Sequence, residues 1–175
     1  SPPKYGKSWF VLDLCLSVAA GTPFLGQDTV KSGCLYLALE DSQRRLQDRM
    51  NKVLGGRTAP QGFYFATSAL DIGGGLLEQQ EGHKAAHPDT GLIVIDTLQK
   101  VRGAGNSREN AYSADYREVG ALKAFADKHG VCLLLVHHLR KMADDGDPFN
   151  RISGTNGIMG AADSVFVLSR KKRSD

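Results

Sequence analysis

Ser1-Pro2-Pro3-Lys4-Tyr5-Gly6-Lys7-Ser8 opens the chain, and the reading of everything downstream turns on it. The stretch meets the phosphate-loop pattern GxxxxGK[ST] at every fixed position except the first, where Ser1 stands in place of Gly. Small residues let backbone N–H groups curl around phosphate oxygens, a lysine reaches the outer phosphates, and a hydroxyl holds Mg²⁺. Gly6, Lys7 and Ser8 supply these parts, and Lys4, Tyr5 and Trp9 flank them as further candidate nucleotide contacts. Such a loop belongs between a strand and a helix. The helix half is present, because Ser8 to Ala20 is rich in apolar residues and meets no Gly or Pro before Gly21. The strand half is absent from the sequence, so the chain is expected to be a piece of a longer protein whose sheet lacks its N-terminal strand.

Downstream, apolar runs of strand length alternate with helical periodicity. Cys34 to Leu39 is a continuous apolar run ending at Glu40-Asp41, and the spacing of Leu46, Met50 and Val53 predicts an amphipathic helix over 42–54, capped by Asp41 or Ser42. Gly62 to Thr67 reads as a short aromatic strand and Leu76 to Ala86 as a helix. Leu92 to Ile95 runs into Asp96-Thr97. A helix follows over 111–129, with Tyr116, Val119, Leu122, Phe125 and Ala126 on one face. Val131 to Val136 is the most apolar strand and delivers His137-His138. The segment from Lys141 to Gly160, rich in Asp, Gly, Asn and Ser, reads as a long loop, and Ser164 to Leu168 as a last strand. Strands alternating with helices predict one three-layer α/β domain over 1–175 with a mostly parallel sheet.

In open parallel sheets, ligands collect at the C-terminal ends of the strands. Four polar signals fall there: the GKS loop, Glu40-Asp41, Asp96-Thr97 and His137-His138. Phosphoryl transfer assigns their roles. Lys7 is expected to neutralise the β- and γ-phosphates, Ser8 to ligate Mg²⁺, Asp96 to hold the ion's water shell, and Glu40 to orient and deprotonate the attacking water. Adjacent strand residues face opposite ways, so only one histidine of the pair looks into the site; His138 is expected to be the one that meets the γ-phosphate. Asp41 is expected to serve the following helix instead of the chemistry.

As an ordered set, PPKYGKSW, LYLALEDSQRRLQDRM, LIVIDTLQKVRG, LLLVHHLRK and RISGTNGIMGAADSVFVL resembles the RecA-like P-loop ATPases of the RepA type, relatives of hexameric replicative helicases found in plasmids, phages and integrated elements. The resemblance implies ATP and Mg²⁺ as ligands, with Glu40 as catalytic base, Asp96 as the Walker B carboxylate and His138 at the end of the next core strand. It implies a homo-oligomeric ring, a hexamer, that moves on, unwinds or loads onto single-stranded DNA. The family's channel-lining loop falls on about Arg140 to Gly160, where Arg140, Lys141 and Arg151 are candidate phosphate contacts; ordinary solvated charges are the alternative. The arginine finger supplied in trans has no secure match, and Lys171 to Arg173 is the nearest basic run. Two other functions stay open: an ATP-switched DNA-binding or assembly module that does not translocate, and a clock-type regulatory ATPase acting on protein partners.

Composition sets the outer bounds. With 175 residues, 41% hydrophobic and 23% charged, the chain has the makeup of a soluble globular domain and not of a disordered or collagen-like one. The stretch Trp9 to Ala20 is too short to cross a bilayer and is interrupted by Asp13, and no signal segment opens the chain, so a cytoplasmic protein is expected. The net charge of +3 is too small to identify a nucleic-acid partner. Cys15, Cys34 and Cys132 each lie in an apolar run and read as buried free thiols.

Overall fold

A computed structural model describes residues 6–103, 111–138 and 156–168 of the chain. Helix α1 (Lys7–Ala20) begins directly after Gly6 and ends at Gly21, whose backbone N–H bonds back to the last turn. Strand β1 (Gly33–Ala38) is buried along its whole length. Helix α2 (Gln43–Leu54) is capped by Ser42, whose side chain accepts from the Arg45 N–H at 3.3 Å; this settles which of the two candidate residues caps it. Strand β2 (Phe63–Ala66) and helix α3 (Leu76–Ala86) follow, then strand β3 (Thr90–Asp96), a single 3₁₀ turn at Leu98–Lys100, helix α4 (Ala111–His129) and strand β4 (Cys132–Val136). A short helix α5 (Asn156–Ala161) lies at the end of the segment read from sequence as a loop.

The four strands pair in parallel in the order β2-β1-β3-β4. Because parallel strands need crossovers, helices cover both faces, and the strands read as continuous apolar runs. Alternation sorts the side chains. Cys34, Tyr36, Ala38, Leu92, Val94 and Val136 pack with α1 and α2 on one face, whereas Leu35, Leu37, Ile93 and Ile95 pack with α3 and α4 on the other. At the lower end of the sheet, β1 and β3 come so close that a Cβ on Gly33 would lie 3.1 Å from the Thr90 backbone. A side chain there would crowd the Thr90 backbone.

Three expectations are corrected. Ser164 to Leu168 forms no strand, and Phe166 is 85% exposed. Val165, Phe166 and Val167 instead line a groove with β4 and α4. An apolar run of the right length becomes a strand only if its backbone meets a partner edge, which periodicity does not report. Cys132 is exposed, unlike the buried thiols Cys15 and Cys34, because it begins an edge strand whose outer side is unpaired among the described residues. Tyr116 is 52% exposed, while Val119, Leu122 and Phe125 are buried as expected. The core stripe of α4 is thus narrower than its apolar pattern. Among the described residues, no helix is long and apolar enough to cross a membrane.

The core and the helix cap predict unequal costs. Ile93→Ala, at a fully buried position, should destabilise the fold by about 3 kcal/mol, and Ser42→Ala by about 1 kcal/mol through loss of the α2 cap. Urea unfolding of the two variants should show that order.

Candidate functional site

Of the residues that the sequence marked at the C-terminal ends of strands, Glu40, Asp96 and His138 gather around the start of α1, whereas His137 does not. Gly6 makes the entry possible. It caps α1 in the left-handed conformation (φ 88°, ψ 10°), which a side chain would strain, and its carbonyl accepts from Phe10 N–H at 2.9 Å to close the first turn. Lys7 is thereby aimed across the sheet edge, where its ammonium donates to His138 Nδ1 at 3.1 Å. An ammonium has no lone pair, so Nδ1 accepts and the proton of a neutral His138 ring resides on Nε2. That nitrogen faces Glu40 Oε1 at 3.4 Å. Lysine, imidazole and carboxylate form one chain.

The second carboxylate lies beside it. Asp96 is buried at the end of β3 on the α1 face, and the Ser8 hydroxyl hydrogen-bonds it. Burial raises the Asp96 pKa; the Ser8 and Tyr36 hydrogen bonds oppose the rise, and the negative charges of Glu40 and Asp41 add to it. Burial likewise lowers the Lys7 pKa, and the attraction of Asp96 and Glu40 works against that. A hydroxyl and a carboxylate held together, with a second carboxylate and a cation close by, are hard oxygen donors suited to Mg²⁺. Among the described residues, no group of three or more His, Cys, Asp or Glu is placed to hold a metal ion by itself.

The adjacent acids Glu40 and Asp41 are divided between two tasks. Asp41 pairs with Arg45 and Arg49 of α2, and Arg45 also donates to the Glu40 carbonyl, so α2 anchors the loop and Glu40 is left turned to the site. Beyond Asp96, Arg102 pairs with the buried Asp115 and, at 2.6 Å, with Glu118, tying the segment after β3 to α4. His137 points to the opposite face, into the groove shared with Leu122 and Ile158. That groove is lined mainly by apolar residues and carries none of the marked site residues except His137. Trp9 is 39% exposed on the outer side of α1, with the Arg49 guanidinium 5.6 Å from its ring centre. Lys4, Tyr5, Arg140, Lys141, Arg151 and the run Arg170 to Arg173 lie outside the described residues.

Two residues here had no role in the sequence reading. Thr97 donates its hydroxyl to Glu40 Oε1 at 3.2 Å, and Tyr36 donates to Asp96 Oδ2 at 2.9 Å. Tyr36 did carry a signal: a phenol in the middle of an aliphatic strand must find a partner when buried.

Similarity to known proteins agrees with this geometry. The family described as an AAA domain matches residues 1–144. Among solved structures, the chain is similar to one described as an ATPase domain, with a TM-score of 0.67 and 11% identity over 93% of this chain and 64% of that one. It is also similar to a DnaB-like replicative helicase described with its primase interactions, with a TM-score of 0.68 and 12% identity over 93% of this chain and 44% of that one. The chain thus spans less than two thirds of either solved chain. No curated protein matches it. At these identities the likeness establishes the fold, a RecA-like α/β architecture.

The Lys7 assignment is open to a direct check. Lys7→Ala in the full-length protein should weaken ATP binding by on the order of tenfold or more, as loss of a charge-assisted contact to phosphate does. Calorimetric titration giving an unchanged affinity would remove the phosphate-loop assignment.

Proposed function

We propose that this chain, which belongs to the AAA domain family, binds Mg-ATP and hydrolyses it, and that the full-length protein couples hydrolysis to work on single-stranded DNA. The observation that carries the reading is the convergence of Lys7, Ser8, Glu40, Asp96 and His138 at one sheet edge beside a helix N-terminus.

Each residue has a task that its position permits. Lys7 leaves His138 for the outer phosphate oxygens, which offer more negative charge than a neutral imidazole nitrogen. Ser8 and Asp96 would hold Mg²⁺, which would neutralise negative charge on the nucleotide's phosphates. Glu40 receives the proton of the attacking water as the oxygen–phosphorus bond forms and the bond to the bridging oxygen breaks, giving ADP and phosphate. Both hydrogen bonds to the Glu40 carboxylate among the described residues fall on Oε1, so Oε2 is the oxygen placed to take that proton. His138, linked to both Lys7 and Glu40, changes partners when Lys7 departs and thereby registers occupancy of the site.

The DNA part of the reading is supported by the likeness to a solved ATPase domain and to a DnaB-like replicative helicase and by the cations of 140–151 and 170–173. An oligomeric ring, with an arginine finger reaching each site from a neighbour, goes with it.

Glu40→Gln should keep nucleotide affinity within about twofold while lowering turnover by roughly two or more orders of magnitude; full hydrolysis by that variant would take the base role away from Glu40. Single-stranded DNA should stimulate the ATPase of the full-length protein and bind with an affinity that falls steeply with salt. Fluorescence anisotropy across a salt series, run beside the mass in solution with and without nucleotide, checks this. Salt-independent or absent binding would favour a regulator acting on protein partners.

A further inference from the structure

Behind the two carboxylates stand two buried hydroxyls, arranged in opposite senses across one strand pair. Tyr36 lies in β1 and bonds Asp96 at the end of β3; Thr97, directly after β3, bonds Glu40, two residues beyond the end of β1. Tyr36 and Thr97 are both completely buried. The backbones are already fixed by the pairing of Ala38 with Asp96 and by the Leu39 N–H to Asp96 carbonyl bond of 2.7 Å. What remains to be set is the rotation of each carboxylate. A phenylalanine would fill the space of Tyr36 without a polar group to satisfy, and a valine has nearly the shape of threonine, so neither hydroxyl is needed for packing alone.

We propose that Tyr36 and Thr97 are positioning residues forming a reciprocal clamp, in which each strand holds the other's carboxylate: Tyr36 sets Asp96 for Mg²⁺, and Thr97 sets Glu40 for the attacking water. The clamp rests on the roles given to Asp96 and Glu40 under the proposed function. Its logic is preorganisation: an acid already turned to its ligand loses less rotational freedom when it engages. Coupling through a shared strand pair also means that the metal-holding acid and the base move as a unit.

The test uses the full-length protein with Tyr36→Phe, Thr97→Val and Thr97→Ser, and with Asp96→Asn and Glu40→Gln as references for the underlying roles. A fluorescent ATP analogue is titrated at a series of Mg²⁺ concentrations and in EDTA, and steady-state turnover is measured in parallel. Tyr36→Phe should raise the Mg²⁺ concentration for half-maximal nucleotide binding roughly tenfold, the worth of one hydrogen bond to a charged group, and leave Mg²⁺-free affinity within about twofold. Thr97→Val should lower kcat roughly tenfold with KM and the Mg²⁺ requirement unchanged, and Thr97→Ser should recover most of the loss. A Tyr36→Phe titration superimposable on that of the parent, or a Thr97→Ser protein as slow as Thr97→Val, overturns the clamp. If Asp96→Asn also titrates like the parent, or Glu40→Gln turns over normally, the carboxylate roles themselves fail and the clamp falls with them. Urea midpoints for all variants separate a positioning loss from a folding loss, since only the latter would depress Mg²⁺-free binding as well.

Discussion

The parallel pairing of β1 with β3, in the register that sets Ala38 opposite Asp96, is the contact on which the site depends. It brings two acids 56 positions apart in the chain, Glu40 and Asp96, to one end of the sheet, close enough for the charge of Glu40 to act on Asp96. The period of two makes this strict: a slip of a single residue would turn Asp96 toward α4 and place Ile95 beside Ser8. The register is held at both ends. Gly33 pairs with Thr90 across a local irregularity where a Cβ would lie 3.1 Å from the Thr90 backbone, and the Leu39 N–H bond to the Asp96 carbonyl extends the ladder past the end of β1.

Around that pair, burial and charge work against each other. Low-dielectric surroundings disfavour both the Asp96 carboxylate and the Lys7 ammonium; hydrogen bonds from Ser8 and Tyr36 oppose this at Asp96, and the charges of Asp96 and Glu40 oppose it at Lys7. The neighbouring Asp41 adds to the repulsion, although it is itself paired with Arg45 and Arg49. Helix α2 therefore does more than cover one face of the sheet: it engages Asp41 and leaves the Glu40 side chain to Thr97 and His138. The result is a connected set of polar groups in which Lys7 meets His138 and His138 meets Glu40.

Much of the architecture was legible in order and type. The helices at 76–86 and 111–129 follow the expected bounds, and the apolar runs ending at Glu40, Asp96 and His137-His138 are strands of the core. Local patterning suffices for these because both faces of a parallel sheet are covered, which leaves long uninterrupted apolar runs. The same property misled at Ser164 to Leu168, where a run of similar character found no partner edge, and at Cys132, where an edge strand shares the composition of a central one. Tyr116 fits the period of α4, yet the apolar stripe that α4 buries stops at Val119, and one turn earlier the buried residue is Asp115.

By itself the sequence determined the candidate chemistry: a GKS turn, two acids and a histidine at strand ends, each recognisable because local order places a polar residue directly after an apolar run. Alternation even indicated that His137 and His138 must diverge. Only the tertiary structure decided which partners those groups hold. That Lys7 reaches His138, that Asp41 is claimed by α2, and that Tyr36 and Thr97 cross between β1 and β3 to grip each other's carboxylates all depend on strand order and register. Those are set by the closing of long chain segments into one sheet, a non-local balance of burial and hydrogen bonding that no window of sequence contains.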